Sequence, residues 1–239
     1  MNLISYVIIT QIDEFQKLWQ KSVNFVYTNN IGALKSVVKR NLHMYKSNNI
    51  RDKINYLRLK NLLGEVDKNY QLTYFECKLV TDYLAESKIW TVKELSIFIS
   101  FMNCFNPDLL EHITNKTYNK GSIFLTIKEN KHVLVQALLN ANSILIQEER
   151  IETVMKYHGY IERLIDENDL FEKNIFLFAT GTIEVVNGQI FKGKAKMLKS
   201  IEILQDLGSH QLADNFQSKF DEILKFYETS NNSETPKFR

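Results

Sequence analysis

Eight glycines and two prolines in 239 residues restrict what this chain can fold into more than any other feature. Average usage of about 7% Gly and 5% Pro would place roughly 17 and 12 of them in a chain this long, so the punctuation of β-turns and hairpins is scarce. That argues against a sandwich, a propeller or a glycine-rich nucleotide fold, and for helices joined by short turns. With 44% hydrophobic residues the chain is long enough to bury a sizeable core. A formal charge of +2 at 24% charged residues supplies no strongly basic field of the kind that drives nucleic-acid binding. Cys77 and Cys104 stand far apart in apolar helical contexts, which fits reduced core residues of a cytoplasmic protein better than a disulfide framework. The apolar stretch Leu3 to Ile9 has no positive residues before it and no small-residue cleavage site after it, so it does not read as a signal peptide. No uncharged run reaches the ~20 residues of a membrane span.

Helix signals recur at short intervals. Thr73-Tyr74-Phe75-Glu76 and Thr91-Val92-Lys93-Glu94 are capping boxes, the second flanked by Trp90 and Leu95 as a hydrophobic staple. Asn106-Pro107-Asp108 supplies a cap, a proline at the first helical position and an acid in the first turn. Gly208-Ser209 closes one helix and caps the next. In the last helix Leu212, Ala213, Phe216, Phe220, Ile223, Leu224 and Tyr227 fall on one face. The pattern predicts helices near 12–29, 31–46, 51–70, 73–87, 91–104, 106–118, 131–147, 149–167, 171–187, 190–207 and 209–227. The expected organisation is a remnant of a preceding linker or domain at 1–11, one helical domain over 12–228, and a disordered tail at 229–239.

Ile183 to Phe191 complicates this reading, because Asn187-Gly188 flanked by β-branched and aromatic residues is a hairpin signal. Alone, it fits a β-hairpin as well as a helical hairpin. Gly181, Gly193 and Ser200, separated by twelve and seven residues, favour two closely crossing helices of a tetratricopeptide (TPR) type unit, with Asn187-Gly188 as their turn. The predicted fold is therefore all-α: a TPR-like right-handed superhelix of about five antiparallel helix pairs plus a C-terminal capping helix.

Catalytic and cofactor chemistry finds no footing. Gly188 to Lys194 matches a phosphate-binding loop, but Ala195 stands where the magnesium-binding hydroxyl belongs. The five histidines share no i,i+4 pair and no nearby Cys partner, which gives a zinc site no support. The expectation is no enzyme, no cofactor and no metal. What remains is helix surface. One non-core stripe carries Lys93, Ser96, Ser100 and Asn103, and another carries Gln136, Asn140, Ser143 and Gln147. An Asn or Gln amide donates and accepts at once, which suits clamping of an extended peptide backbone; an ordinary solvated helix face would look the same. The corresponding positions of helix 171–187, Ile175, Phe178, Thr182 and Val185, form an apolar strip that either the final helix or the side chains of a peptide would cover.

These residues resemble a known family. Trp90, Glu94-Leu95-Ser96-Ile97-Phe98, Ala137-Leu138-Leu139-Asn140, Phe171 with Phe176 to Gly181, and Gly193 to Met197 are together similar to the C-terminal domain of Rgg/GadR/MutR-type transcriptional regulators, relatives of the PlcR- and PrgX-like pheromone receptors. The resemblance, over about 12 to 227, implies a homodimeric regulatory domain that binds a short signalling peptide in a concave groove. Asn140 matches the family and is the leading ligand residue, and Asn103 could replace the amide missing at Ser100; on the stripe pattern Gln136, Ser143, Phe178 and Val185 stand beside it, with Arg150 or Lys131 meeting a carboxylate. Ser100 departs from the family, which often carries Asn there. The family reads DNA through an N-terminal helix-turn-helix domain, of which this chain is expected to hold at most the last stretch, Asn2 to Thr10. The alternative is an interaction scaffold that pairs with a full-length regulator, with no peptide or DNA binding of its own.

Overall fold

The structure, a computed structural model, describes residues 14–87, 90–120 and 128–232. Among these residues there are twelve α-helices, two short 3-10 turns and no strand, so the all-α expectation holds. The predicted remnant at 1–11 and positions 233–239 of the predicted tail lie outside the described residues. The chain divides into two compact units, Met1–Phe105 and Asn106–Arg239.

In the first unit the helices are α1 (Glu14–Tyr27), α2 (Ile31–Arg40), α3 (Leu42–Tyr45), α4 (Ile50–Val66), α5 (Tyr74–Glu86) and α6 (Val92–Ser100). The predicted helix 31–46 breaks at Asn41, whose side-chain amide donates to Val37 O at 2.9 Å and whose backbone N–H serves Val37 and Val38. Such a local bond offers the backbone an alternative to continuing the helix. The predicted helix 51–70 stops at Val66, because extended Asp67 caps a separate 3-10 turn, Lys68–Tyr70. Both capping boxes form as read: Glu76 accepts from the Thr73 N–H at 2.8 Å, and Glu94 from the Thr91 N–H at 2.9 Å. Trp90 meets Phe98 edge-on at 5.7 Å. Helix α4 is the centre of this unit, and its run Ile54 to Leu59 is buried on every face.

The second unit holds α7 (Pro107–Lys120), α8 (Lys128–Gln147), α9 (Ile151–Leu164), α10 (Leu170–Val186), α11 (Ile190–Asp206) and α12 (His210–Asn232). Asn106 accepts from the Leu109 N–H at 2.8 Å, which confirms the cap ahead of Pro107. The ambiguous segment is a helical hairpin. Asn187 N–H closes onto Ile183 O at 3.0 Å, and Gly188 turns the chain at φ +81°. A Cβ on Gly181 would lie 2.6 Å from Gly193 O, and one on Gly193 would lie 2.5 Å from Gly181 O, so only glycine permits this crossing. Ser200, the third small residue, donates to Asn174 O at 2.9 Å and its own carbonyl accepts from Asn174 Nδ2 at 3.1 Å. Glu184 receives Lys196 at 2.6 Å and Lys192 at 2.9 Å across the seam. The stretch resembling a phosphate loop is spent on this turn and the first turns of α11, and a helix precedes it. Helix α12 covers the pair through Phe216 and Phe220, which join Phe178, Val185, Met197, Ile201, Leu204 and Ala213 in one core. It runs on to Asn232, into the segment read as a tail.

Candidate functional site

The other side of α10 is packed differently. Where it faces α8 and α12, a cavity of about 590 Å³ remains. Helix α8 contributes Leu139, Asn142, Ser143, Ile146 and Gln147, spaced by three and four so that they share one face. Helix α10 adds Phe178, Thr182, Val185 and Val186, and α12 closes the space with Ile223, Phe226 and Tyr227, with Lys219 and Glu222 bordering it. The volume falls within the range of about 300–1,000 Å³ typical of ligand pockets.

Most of the lining is apolar, and one group in it stands out. Asn142 is 2% exposed, yet neither its Oδ1 nor its Nδ2 has a hydrogen-bond partner. Leaving such a group unmet costs about 1–3 kcal/mol. Thr182, by contrast, has its hydroxyl engaged with Phe178 O at 3.2 Å. A mostly apolar cavity with an unspent buried amide on its wall can take an apolar side chain while exchanging hydrogen bonds with an adjoining peptide group, since the amide both donates and accepts.

The structure separates the residues expected from sequence. Ser143 lines the cavity, and Asn140 and Gln136 continue its exposed stripe along α8. Phe178 and Val185, 7% and 1% exposed, border the same cavity but are packed mainly by α11 and α12. Arg150 is engaged within its own unit: its Nη2 lies 2.7 Å from Asp108 and its Nη1 4.0 Å from Glu111. Lys131 likewise pairs with Asp166 and with Asp169, the latter at 2.7 Å. Ser100 and Asn103 belong to the first unit. The Ser100 hydroxyl donates to Ser96 O at 2.8 Å and accepts from Arg58 Nε at 3.1 Å, while Asn103 is exposed in the 3-10 turn Met102–Cys104.

Asn142 escaped the sequence reading, although a signal was there. It interrupts the buried stripe Val135, Leu138, Leu145 at spacings of three, four and three, and a lone amide on a core stripe is a group looking for a partner. Cys77 and Cys104, read as separate core thiols, lie side by side and half-buried with their Sγ atoms 2.7 Å apart. Burial pushes the Cys104 thiol up, which keeps it unreactive. Among the described residues no three His, Cys, Asp or Glu gather as a metal site, and no helix is long and apolar enough to cross a membrane.

Comparison with known proteins places this architecture. The structure of the SHP pheromone receptor Rgg2 from Streptococcus dysgalactiae aligns with a TM-score of 0.71 at 20% identity, over 90% of this chain and 77% of that one. A cysteine-substituted form of the same receptor gives 0.70 at 20% identity, over 89% and 75%. A candidate transcriptional regulator from Listeria monocytogenes EGD-e gives 0.74 at 16% identity, over 92% and 75%. At these identities the likeness establishes the fold. The family model for the C-terminal domain of the HTH-type transcriptional regulator Rgg matches residues 37–218, and the chain belongs to that family.

Proposed function

We propose that this chain is the peptide-sensing domain of an Rgg-type regulator, and that the cavity between α8, α10 and α12 seats an apolar side chain of a short signalling peptide. The observation that carries this reading is the orphaned Asn142 amide on the wall of a mostly apolar cavity. The peptide runs along the exposed stripe of α8, past Gln136, Asn140 and Ser143, and its main chain meets Asn142 where the side chain enters. Burying one Leu- or Phe-sized side chain contributes about 1.5–3 kcal/mol, and the hydrogen bonds to Asn142 fix its register. One relative of the same fold, seen in two structures, is a receptor of the pheromone SHP, which supports a peptide as the ligand class.

Because α12 forms one wall, an occupied cavity favours arrangements in which α8, α10 and α12 are held together, a population shift that a dimer can transmit. The dimer is part of the proposal, supported by the exposed large apolar side chains Leu170, Phe191 and Leu207 on and after α10 and α11. In this reading the protein is cytoplasmic, and DNA is contacted only through a helix-turn-helix domain.

The test is a fluorescence-anisotropy titration of this chain with a library of labelled apolar octapeptides. Saturable binding by a subset is expected. Asn142→Ala should weaken it by about 1–2 kcal/mol, roughly five- to thirtyfold. A library with no saturating member, or an unchanged affinity in Asn142→Ala, contradicts the assignment. Light scattering on the same sample tests the dimer.

A further inference from the structure

The first unit contains a cation that has been buried without an anion. Arg58 lies within the fully buried run of α4 and is itself only 9% exposed. Its guanidinium carbon sits 4.4 Å from the Trp19 ring and 5.5 Å from the Phe15 ring, both on α1. Its Nε donates to Ser100 Oγ at 3.1 Å. No carboxylate among the described residues pairs with it, whereas Lys35, Lys60, Lys131 and Arg150 each have one. Burial pulls its pKa down to about 10, with no acid nearby to raise it.

The two outer nitrogens are the informative ones. Neither Nη makes a hydrogen bond to a described residue, and neither is sealed away as a buried unpaired atom, so both open to solvent at the edge of an otherwise closed site. A guanidinium fixed by ring stacking and by its Nε bond presents the N–H groups of its two outer nitrogens as a rigid fork, the shape that receives both oxygens of a carboxylate. Burial of a charge with no counter-ion is costly, and a hydrophobic replacement of similar volume is often as stable or more so. An arginine placed under those conditions is better explained by an anion that arrives than by the fold itself.

We propose that Arg58 is a carboxylate-binding residue, whose outer guanidinium nitrogens take a C-terminal or side-chain carboxylate of a ligand lying beside Trp19 and Ser100. The identification of that ligand as a peptide rests on the function proposed above; the carboxylate site does not. A single fork with no second cation fits a planar monoanion better than a phosphate.

The experiment uses the full chain and two kinds of probe. In the first, acetate and inorganic phosphate are titrated at constant ionic strength while the Arg58 Nε–Hε resonance, assigned by its loss in Arg58→Lys, is followed. Acetate should move it saturably and phosphate no more than chloride does. In the second, apolar octapeptides with free and amidated C-termini, and with Asp exchanged for Asn, are titrated against the same Arg58 resonance, and against the variants by anisotropy. Removing the relevant carboxylate should weaken binding about tenfold, and Arg58→Met should erase that difference while leaving the carboxylate-free peptide unaffected.

Arg58→Met should also melt at or above the wild-type temperature. A fall of several degrees would mark Arg58 as a structural brick and overturn the proposal, as would an Nε–Hε signal that acetate leaves in place. Should peptides saturate without regard to their carboxylates, this inference fails and the peptide-sensing reading stands. If acetate binds and no peptide does, the reverse holds. Arg58→Lys, which keeps the charge and loses the fork, should fold as the wild type does and lose most of the preference for the free carboxylate.

Discussion

Along one side of α10, Gly181 meets Gly193 of α11 so closely that a Cβ on either would come within 2.6 Å of the other's carbonyl oxygen. Along the other side, Asn142 of α8 faces a space of about 590 Å³ with its amide unspent. One helix thus borders both a close-packed seam with polar bonds across it and a seam left open. The closed seam spends its polar residues on itself, through Asn174 with Ser200 and Glu184 with two lysines. The open seam leaves the whole Asn142 amide unmet, whereas in the closed seam Asn174 and Glu184 each keep a bond and leave one oxygen unmet. Close packing is where stability resides, and an unmet buried group is where a protein trades stability for a ligand.

The largest expected effect comes from opening the closed seam. Gly193→Ala drives a methyl into the backbone of α10 and should cost about 3 kcal/mol, a fall in Tm of roughly 6–12 °C, measured by thermal unfolding. A neutral substitution would mean that the crossing is looser than described. Closing the open seam has the opposite sign. Asn142→Leu removes the orphaned amide at similar volume and should stabilise the chain by about 1–2 kcal/mol while abolishing peptide binding. Loss of stability there would show that the amide has a partner in solution.

Glu184 separates the two seams by pH. Burial would raise its pKa, but hydrogen bonds from Lys196 and Lys192 outweigh that and hold the carboxyl below its usual value. A carboxyl with a depressed folded pKa contributes stability that is fully present above its unfolded value near 4.5 and lost as pH falls through the lower folded value. Glu184→Gln should therefore cost about 1 kcal/mol at pH 7, a modest figure for a partly solvated pair, and the difference from wild type should shrink below about pH 4.5. A difference that persists in acid would assign the loss to packing. Asn140→Ala, on the exposed stripe, should change stability by less than about 0.5 kcal/mol and peptide affinity by less than Asn142→Ala does.

The closed seam was legible in the sequence and the open one was not, for a physical reason. Glycine is rare in this chain, so Gly181 and Gly193 at helical spacing carry information, and the helix caps follow from hydroxyls and carboxylates three residues apart. The cavity is lined by Leu, Ile, Phe and Val, the same types that fill the core, and its volume depends on how three helices stand apart, which no single helix's pattern encodes. The charged residues show the same limit. Arg150 and Lys131 were natural candidates for meeting a ligand carboxylate, but partners 42 and 35 to 38 residues away in sequence already hold them. Arg58 carries no mark in the sequence of being the cation left over. Asn41, whose side chain bonds back to Val37 O, and Asp67, whose side chain caps the 3-10 turn after α4, are hard to read as breaks because the apolar rhythm continues beyond them.

The most direct test of the central claim is the side-chain amide signal of Asn142 in a ¹H–¹⁵N spectrum, followed while the best-binding apolar octapeptide is titrated into the full chain. A Asn142 signal that shifts saturably, with the same midpoint as the anisotropy titration, is the predicted result. A signal that stays in place while the peptide saturates would contradict the assignment of the cavity as the peptide's seat.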